Sequence, residues 1–247
     1  MNAPLADQMR PQTIDEVVGQ SHILSKNGIL YRIAQSGHAT NLIFYGPPGT
    51  GKTTVARIIA KQAGKKLYKL NGTTASTADF KEIISSLDTF EGMNGVVLYL
   101  DEIQYLNKKQ QTLLEFLENG QITLIASTTE NPYFYIYNAI ISRSTVFEFK
   151  PVTPEEIEKA LTRGVKILEA QAQEQGFSLT VEDHVLRSIA LSCGGDVRKS
   201  INTLEVAFLS APVTDGVKSI TAEQLRSISQ RAALRYDKSD DVHYDLL

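Results

Sequence analysis

The sequence predicts an α/β domain in which about five parallel strands are flanked by helices, followed by a small all-helical domain. Three observations lead to this prediction. Short apolar runs alternate with helical patterns over residues 41–150, as in chains that wind repeatedly between strand and helix. Several of these runs lack polar alternation, which is typical of strands buried on both faces of a parallel sheet. After Lys150 the apolar runs stop and helix-start signals take over.

The first domain is predicted at residues 1–150, and its strands coincide with the apolar runs. These strands are Leu42–Tyr45, Lys66–Leu70, Val96–Leu100, Ile122–Ala126 and Thr145–Phe149. Helical patterns lie between the strands, and the clearest are at residues 53–62 and 108–119. This order of elements indicates a doubly wound sheet.

The second domain is predicted at residues 151–232 from its helix ends. Thr153, followed by a proline and two glutamates, has the pattern of an N-cap with a capping box. Weaker caps are predicted at Thr180 and Thr221, and a further helix is predicted after Asp196. The domain is therefore expected to consist of helices.

Composition excludes several classes of protein. The chain has 247 residues, 42% of them hydrophobic, and a formal net charge of −3, so contact with nucleic acid must come from a local arrangement of charge. Cys193 is the one cysteine, which rules out an internal disulfide framework and a multi-cysteine zinc module. No signal peptide and no membrane-spanning run is seen in the sequence, and a cytoplasmic, nucleoid-associated protein is expected.

A glycine-rich loop follows the first predicted strand. Residues 46–53 match the pattern G-x-x-x-x-G-K-[ST]. Glycines let backbone N–H groups turn toward a phosphate, and the N-terminus of the following helix favours the same anion. In such a loop Lys52 reaches the β- and γ-phosphates, and the Thr53 hydroxyl ligates Mg²⁺. The predicted nucleotide-binding residues of the loop are Gly46, Pro47, Pro48, Gly49, Thr50, Gly51, Lys52, Thr53 and Thr54.

An acidic pair ends the third predicted strand. Asp101 and Glu102 follow the run VVLYL and are expected at the carboxyl edge of the sheet, where open α/β folds bind ligands. Asp101 is predicted to hold Mg²⁺, and Glu102 to polarise the attacking water as a general base. Many strands end in solvated carboxylates, but this one follows the glycine-rich loop with one predicted strand between, which indicates a site for a nucleoside triphosphate and Mg²⁺.

Together with the helical domain behind them, these motifs resemble the AAA+ ATPases, most closely their clamp-loader-like branch. The segment IASTTENP at residues 125–132 resembles sensor 1, which implies that Thr129, or else Thr128, senses the γ-phosphate. The segment NAIISRS at residues 138–144 is similar to the arginine-finger segment. This similarity implies that Arg143 acts on the nucleotide of a neighbouring subunit.

Three further residues or segments extend the resemblance. GGDVRKSINTLE resembles the sensor 2 helix and implies that Arg198 faces the nucleotide. RPQTIDEVVGQ resembles the N-terminal box that lies along adenine, which implies contacts through the backbone near Val18 and Gly19. Asn71 stands at the end of the second predicted strand, where this group places a residue that restrains the catalytic glutamate.

The chain from about Pro4 to its last residue resembles one family, the RarA/MgsA replication-associated recombination proteins. ENP after sensor 1, GGDVR and the tail DKSDDVHYDLL carry this resemblance. It implies that residues 233–247 begin a C-terminal region through which the family forms a tetramer. Most of that region is expected to be missing from this chain. The family usually continues its acidic pair with an aliphatic residue and then His-Arg, whereas Gln104 and Tyr105 stand here. A role for that basic pair near DNA is therefore unsupported.

The resemblance implies a DNA-dependent ATPase that acts at stalled replication forks, with ATP and Mg²⁺ between core and lid. The implied partners are forked, gapped or single-stranded DNA, further copies of the chain, and replication proteins such as single-strand-binding protein, without a membrane. Two alternatives stay open: a clamp-loader subunit, and a nucleotide-binding scaffold that hydrolyses nothing. Arg143 and Arg198 also have ordinary explanations, as solvated surface and as an exposed helix face.

Overall fold

The structure, a computed structural model, describes residues 3–87, 89 and 94–228. The chain divides into two compact units. One is Arg10–Val152, and the other joins the residues before Arg10 to those from Thr153 onward. In chain order the strands are β1 (Leu42–Tyr45), β2 (Lys66–Asn71), β3 (Val96–Asp101), β4 (Ile122–Thr128), β5 (Thr145–Glu148), β6 (Ser178–Val181), β7 (Val213–Thr214) and β8 (Val217–Ile220).

The α-helices precede, separate and follow these strands. They are α1 (Leu5–Gln8), α2 (Ser21–Leu24), α3 (Ile29–Gln35), α4 (Lys52–Gln62), α5 (Thr77–Leu87), α6 (Leu114–Glu118), α7 (Pro132–Tyr135), α8 (Asn138–Ile141), α9 (Pro154–Glu174), α10 (Val185–Ser192) and α11 (Val197–Ser210). Two 3₁₀ helices occupy Ile14–Glu16 and Ile103–Leu113.

The first unit is built on a five-stranded sheet in the order β2-β3-β4-β1-β5, and its neighbouring strands are parallel. The predicted fold class, with about five parallel strands flanked by helices, is confirmed. Every residue of β4 is buried, as its unbroken apolar run indicates. Successive side chains of a strand point to opposite faces, so Leu98 and Leu100 enter one core while Val97 and Tyr99 enter the other.

The second unit packs α1 and α9 to α11 together. The predicted capping box of α9 is formed: the Glu156 N–H donates to Thr153 Oγ1 at 3.4 Å, and the Thr153 N–H donates to Glu156 Oε2 at 3.2 Å. Gly164 lets the helix surfaces approach closely, since a Cβ there would lie 2.8 Å from Met9 Sδ and 3.2 Å from Leu204 Cδ2. The helical character predicted for this unit is therefore present.

A small sheet in the second unit differs from the all-helical prediction. Its order is β6-β8-β7, with β6 parallel and β7 antiparallel to β8. Thr180, predicted as a helix N-cap, lies in β6, where its hydroxyl is 2.8 Å from that of Ser219. The prediction of a cap at Thr180 is wrong because strand pairing, with a partner far along the chain, outweighs a local cap.

The structure leaves the oligomerisation region and the domain bounds as predictions. The oligomerisation region expected at residues 233–247 lies outside them, and the domain bounds drawn at residues 150 and 232 stay predictions. None of the helices within the described residues combines the length and the apolar character that a membrane crossing needs.

Candidate nucleotide-binding site

The glycine-rich loop joins β1 to α4. Gly46 has a φ of +133°, and a Cβ there would lie 2.0 Å from the carbonyl oxygen of Phe149. Gly51, the N-cap of α4, has a φ of +102°. Glycine alone adopts these conformations at little cost, so the loop can turn its backbone toward the start of α4. Between the two glycines lie Pro47, Pro48, Gly49 and Thr50, and Thr54 lies in the first turn of α4.

Lys52 is the first residue of α4, and its side chain is held inside the loop. The residue is only 8% exposed, and Nζ donates hydrogen bonds of 2.6 Å to the carbonyl oxygens of Gly46 and Pro47. The Thr50 hydroxyl donates to the same Pro47 oxygen at 2.9 Å. Both the ammonium and the N-terminus of α4 therefore make this loop attractive to an anion.

Strand register brings the predicted residues to one edge of the sheet. Asn71 pairs with Asp101 across β2 and β3, and Tyr45 pairs with Thr128 across β1 and β4. The Gly46 N–H donates to the Thr128 carbonyl oxygen at 3.1 Å. Because the strands are parallel, the loop, the acidic pair and the sensor 1 segment all lie at the carboxyl ends of the strands.

A buried network of hydroxyls joins the loop to the acidic pair. Thr53 Oγ1 lies 2.9 Å from the hydroxyl of Tyr99. Tyr99 donates to Ser127 Oγ at 2.8 Å, and Ser127 donates to Asp101 Oδ1 at 2.5 Å. The Tyr99 hydroxyl also lies 3.3 Å from Asp101 Oδ1. Burial of the ring, aided by the negative charge of Asp101, raises the pKa of Tyr99, so the phenol keeps its proton.

Sequence reasoning missed Tyr99 and Ser127. The only signal was the presence of one hydroxyl-bearing aromatic residue in the otherwise apolar run VVLYL. Such a residue needs a hydrogen-bond partner when it is buried. The partner could not be identified before the register between β3 and β4 was known.

The donor set at this edge fits a magnesium ion. Thr53 offers a hydroxyl oxygen and Asp101 a carboxylate oxygen, the hard ligands that Mg²⁺ prefers. Both side chains contact the Tyr99 hydroxyl, so this hydroxyl holds the two oxygens near each other. Within the part of the chain that the structure describes, no cluster of three or more histidine, cysteine, aspartate or glutamate side chains could hold a metal. An ion here would complete its shell with phosphate oxygens and water.

Glu102 has an unusual backbone conformation, and its carboxylate accepts hydrogen bonds from two of the side chains that the structure describes. Its φ and ψ are both 51°, the left-handed region that non-glycine residues rarely adopt. Its Oε2 accepts from Gln104 Nε2 at 2.5 Å and from Thr129 Oγ1 at 3.4 Å. Thr128, the second sensor 1 candidate, is buried, and its hydroxyl accepts from the Glu130 N–H at 3.0 Å. Of the two threonines, Thr129 is the one that contacts the glutamate.

Asn71 lies at the predicted edge but contacts Thr73. Its Oδ1 accepts from the Thr73 N–H at 2.9 Å and from the Thr73 hydroxyl at 2.6 Å. Among the described residues, Gln104 and Thr129 donate hydrogen bonds to the Glu102 side chain, and the restraining role implied for Asn71 stays a prediction. Sequence reasoning noted Gln104 only as a departure from the family pattern.

Gly72 is a further residue that sequence reasoning missed. Its N–H donates to the Asp101 carbonyl oxygen at 2.7 Å. A Cβ on Gly72 would lie 2.2 Å from the Glu102 carbonyl oxygen. The backbone after β2 therefore touches the backbone of the acidic pair, and a glycine is needed there for space.

The N-terminal box reaches the glycine-rich loop through Gln20. This side chain is 5% exposed, and its Nε2 donates to the carbonyl oxygens of Lys150 at 2.7 Å and Thr50 at 3.4 Å. Its Oε1 accepts from the Lys150 N–H at 2.9 Å. Val18 and Gly19, the predicted adenine contacts, directly precede Gln20 and are half-buried.

Arg143 lies at the opposite edge of the sheet. It precedes β5, whose Thr145 pairs with Leu42, the first residue of β1, whereas the glycine-rich loop follows the last residue of β1. The guanidinium donates to the Ala139 carbonyl oxygen at 2.9 Å and forms a 2.5 Å ion pair with Glu118. Arg143 therefore does not contact the loop of its own chain.

Arg198 belongs to the other compact unit. It lies exposed in the first turn of α11, whose N-cap Asp196 accepts from the Lys199 N–H at 2.8 Å. The contact between Arg198 and a nucleotide stays a prediction.

Two family models match the chain. The ATPase family associated with various cellular activities (AAA) matches residues 42–152, and the AAA C-terminal domain matches residues 173–247. With the glycine-rich loop and acidic pair at one sheet edge, these matches define a P-loop ATPase of the AAA class. Replication-associated recombination protein A of Bacillus subtilis (strain 168) is 41% identical to this chain, and that of Escherichia coli (strain K12) is 34% identical. Over nearly its whole length the chain is therefore similar to the replication-associated recombination protein A family.

These alignments cover 99% of this chain but 57% of the B. subtilis protein and 55% of the E. coli protein. The chain thus spans little more than half the length of these relatives. Among solved structures, the Thermotoga maritima RuvB Holliday junction branch migration motor aligns with a TM-score of 0.70 at 24% identity. That alignment covers 89% of this chain and 71% of the RuvB chain, and it supports the fold.

Proposed function

We propose that this chain binds ATP with Mg²⁺ at the carboxyl edge of its five-stranded sheet and hydrolyses the ATP. One observation carries the proposal. Thr53 of the glycine-rich loop and Asp101 of the acidic pair, predicted as metal ligands from separate motifs, are linked through the hydroxyl of Tyr99. Membership of an ATPase family supports the same function.

The loop residues take roles that follow from their positions. Lys52 lies at the N-terminus of α4. When ATP binds, its ammonium group is proposed to donate hydrogen bonds to phosphate oxygens in place of the loop carbonyl oxygens. Thr53 and Asp101 would hold Mg²⁺, which when bound neutralises charge on the transferred phosphoryl group. The backbone N–H groups of residues 46–53 are proposed to orient the phosphates.

Glu102 is proposed to orient the attacking water and to accept its proton. Thr129 is proposed to link the γ-phosphate to this base, since its hydroxyl lies 3.4 Å from the Glu102 carboxylate. Gln104 donates to the same oxygen at 2.5 Å, and the other carboxylate oxygen, Oε1, is proposed to accept from water. A restraining role for Asn71 would require its carboxamide to leave Thr73.

Arg143 is proposed to act as an arginine finger in trans. Its place at the opposite edge of the sheet from its own glycine-rich loop supports an action on a neighbouring copy. To contact a phosphate of the neighbouring copy, Arg143 would have to leave its ion pair with Glu118. The Glu118 side chain is 54% exposed, and exposed ion pairs contribute little stability. Arg198 is proposed as the sensor 2 arginine, and the backbone at Val18 and Gly19 as the adenine contact.

A Glu102→Gln substitution tests the hydrolysis proposal. The amide keeps the shape of the side chain but cannot accept the proton, so turnover should fall by about 100-fold or more while ATP binding is retained. Glu130→Gln is the matched control, since Glu130 is an exposed carboxylate in the same segment as Thr129. Steady-state ATPase rates and nucleotide titrations give both readouts. Equal turnover of the Glu102→Gln variant and the parent chain would remove Glu102 from its role.

We propose further that the whole protein is a homo-oligomer, tetrameric in its full length, that acts on DNA at stalled replication forks. The names of the relatives, which link them to replication and recombination, support this assignment. Single-strand-binding protein is a proposed partner, and the cytoplasmic nucleoid is the proposed location.

The DNA proposal is tested by ATPase rates with forked, gapped and single-stranded DNA, against blunt duplex as control. Stimulation by at least one of the first three is the expected result. ATPase activity that responds instead to a sliding clamp would favour the clamp-loader alternative. ATP binding without turnover at any chain concentration would favour the non-hydrolysing scaffold.

A further inference from the structure

We propose that Tyr99 is a positioning residue that fixes the hydrogen-bond direction of both proposed magnesium ligands, Thr53 and Asp101. This inference rests on the proposed function, because it concerns how the same site is prepared for its ion. Tyr99 itself is not proposed as a ligand of phosphate or metal. Its hydroxyl acts through Thr53 and Asp101, the two proposed metal ligands.

The first argument is the burial of the hydroxyl. Tyr99 is 1% exposed and Ser127 is 0% exposed. The strand around Tyr99 is otherwise apolar up to Asp101, and a phenylalanine would fill the same space. Burial of a hydroxyl is unfavourable unless it forms hydrogen bonds, so the oxygen of Tyr99 is retained at a cost that its contacts must offset. Those contacts lead to Thr53 and Asp101.

The second argument is a count of protons. Three hydroxyls, of Thr53, Tyr99 and Ser127, carry one proton each, and an ionised carboxylate can only accept. Ser127 must give its proton to Asp101, 2.5 Å away. Tyr99 then gives its proton to Ser127, 2.8 Å away. The one direction left for the 2.9 Å contact is donation from Thr53 to Tyr99.

This direction has a consequence for metal binding. A hydroxyl that ligates a cation does so with a lone pair, and its proton must point elsewhere. The Thr53 proton points to Tyr99, so both lone pairs of Oγ1 are free to face an ion. Asp101 Oδ1 is occupied by Ser127, which leaves Oδ2 as the free carboxylate oxygen. The network thus prepares one oxygen of each ligand.

A Tyr99→Phe variant tests the inference, with Tyr68→Phe as the matched control. Tyr68 lies on β2 opposite Leu98, and the Tyr68→Phe substitution removes a tyrosine hydroxyl from this neighbouring strand. Binding of a fluorescent ATP analogue is measured in a Mg²⁺ titration and again in EDTA, with thermal unfolding alongside. We expect Tyr99→Phe to weaken Mg²⁺-dependent binding by about fivefold to tenfold, the effect of one hydrogen bond. Binding in EDTA should change by less than about twofold, because the loop and Lys52 are untouched.

Ser127→Ala is the second variant, and its effect should be smaller. Without Ser127, Tyr99 can still donate directly to Asp101 Oδ1, 3.3 Å away. The inference is supported if the loss of Mg²⁺-dependent binding is largest for Tyr99→Phe, smaller for Ser127→Ala and smallest for Tyr68→Phe. A loss that is equal with Mg²⁺ and in EDTA overturns it, because the residue would then serve structure alone.

The two failures are distinguishable. If the parent chain binds the analogue equally with Mg²⁺ and in EDTA, the proposed magnesium site fails, and this inference fails with it. If the parent chain depends on Mg²⁺ and Tyr99→Phe shows the same dependence, the inference alone fails. Should Tyr99→Phe prove unfolded, the smaller loss expected of Ser127→Ala is the deciding result, and no loss at all overturns the inference.

Discussion

Replacing Gly72 by alanine tests how closely the end of β2 packs against the acidic pair. An added Cβ would lie 2.2 Å from the Glu102 carbonyl oxygen, 3.0 Å from the Glu102 carbonyl carbon and 3.4 Å from the Asp101 carbonyl oxygen. All three atoms belong to the backbone, so no side chain can swing aside. Relief requires the end of β2 and the Asp101–Glu102 peptide to separate.

The magnitude follows from two contributions. Overpacking of a buried position costs roughly 1–3 kcal/mol. Separation also lengthens the 2.7 Å hydrogen bond from the Gly72 N–H to the Asp101 carbonyl oxygen, which contributes about 1 kcal/mol. We therefore expect the free energy of unfolding to fall by about 2–4 kcal/mol. ATP turnover should fall with it, because Glu102 is displaced.

Gly64→Ala is the matched control for this measurement. Gly64 has a φ of +61°, and a Cβ there would meet no atom within 4 Å, so its cost is the left-handed conformation alone, about 1–2 kcal/mol. Urea unfolding followed by circular dichroism gives both values. A Gly72→Ala variant that is no less stable than Gly64→Ala, with unchanged turnover, would refute the close packing.

Two further predictions concern the arginine and the second unit. Arg143→Ala should keep ATP binding but lower turnover by about 1000-fold or more, whereas Glu118→Gln, which breaks the same ion pair, should not. Because the finger is proposed to act in trans, mixing the Arg143→Ala and Glu102→Gln variants should restore part of the turnover, and no restoration would contradict action in trans. Thr153→Ala should lower the free energy of unfolding by about 1 kcal/mol through loss of the N-cap. Thr162→Ala, an exposed position on the same helix, should change it by less than about 0.5 kcal/mol, and equal losses would argue against the capping box.

The large sheet was predictable because its strands are local signals. The run Leu42–Tyr45 is apolar without interruption and is followed at once by glycine, so both its type and its end are visible in a few residues. The same is true of Val96–Leu100, which stops at two carboxylates. The loop after β1 also follows a local pattern, and its Gly46 and Gly51 have the positive φ values that a turn of this kind needs.

Contacts between distant segments were not predictable in this way. Tyr99 meets Ser127 because β3 and β4 lie side by side in a particular register, and one sequence carries no record of that register. Thr180 shows the same limit, since a threonine followed by an acidic residue three positions later fits a cap as well as a strand. The pairing of β6 with Val217–Ile220 decides between them.

One missed element did have a local signal. Asp215 and Gly216 join β7 to β8, with φ values of 52° and 75°. An Asp-Gly pair with positive φ at both positions is the preferred two-residue hairpin turn. The flanking strands are only two and four residues long, too short for their alternation to be recognised.

Gln20 connects parts of the first unit that lie outside its strands. Its single carboxamide holds Lys150 by both main-chain groups and reaches the carbonyl of Thr50 as well. Three stretches that are remote in the chain are thus fastened at one point. A displacement of Thr50 would therefore be transmitted to Lys150 through one side chain, beside the direct backbone contact between Gly46 and Phe149.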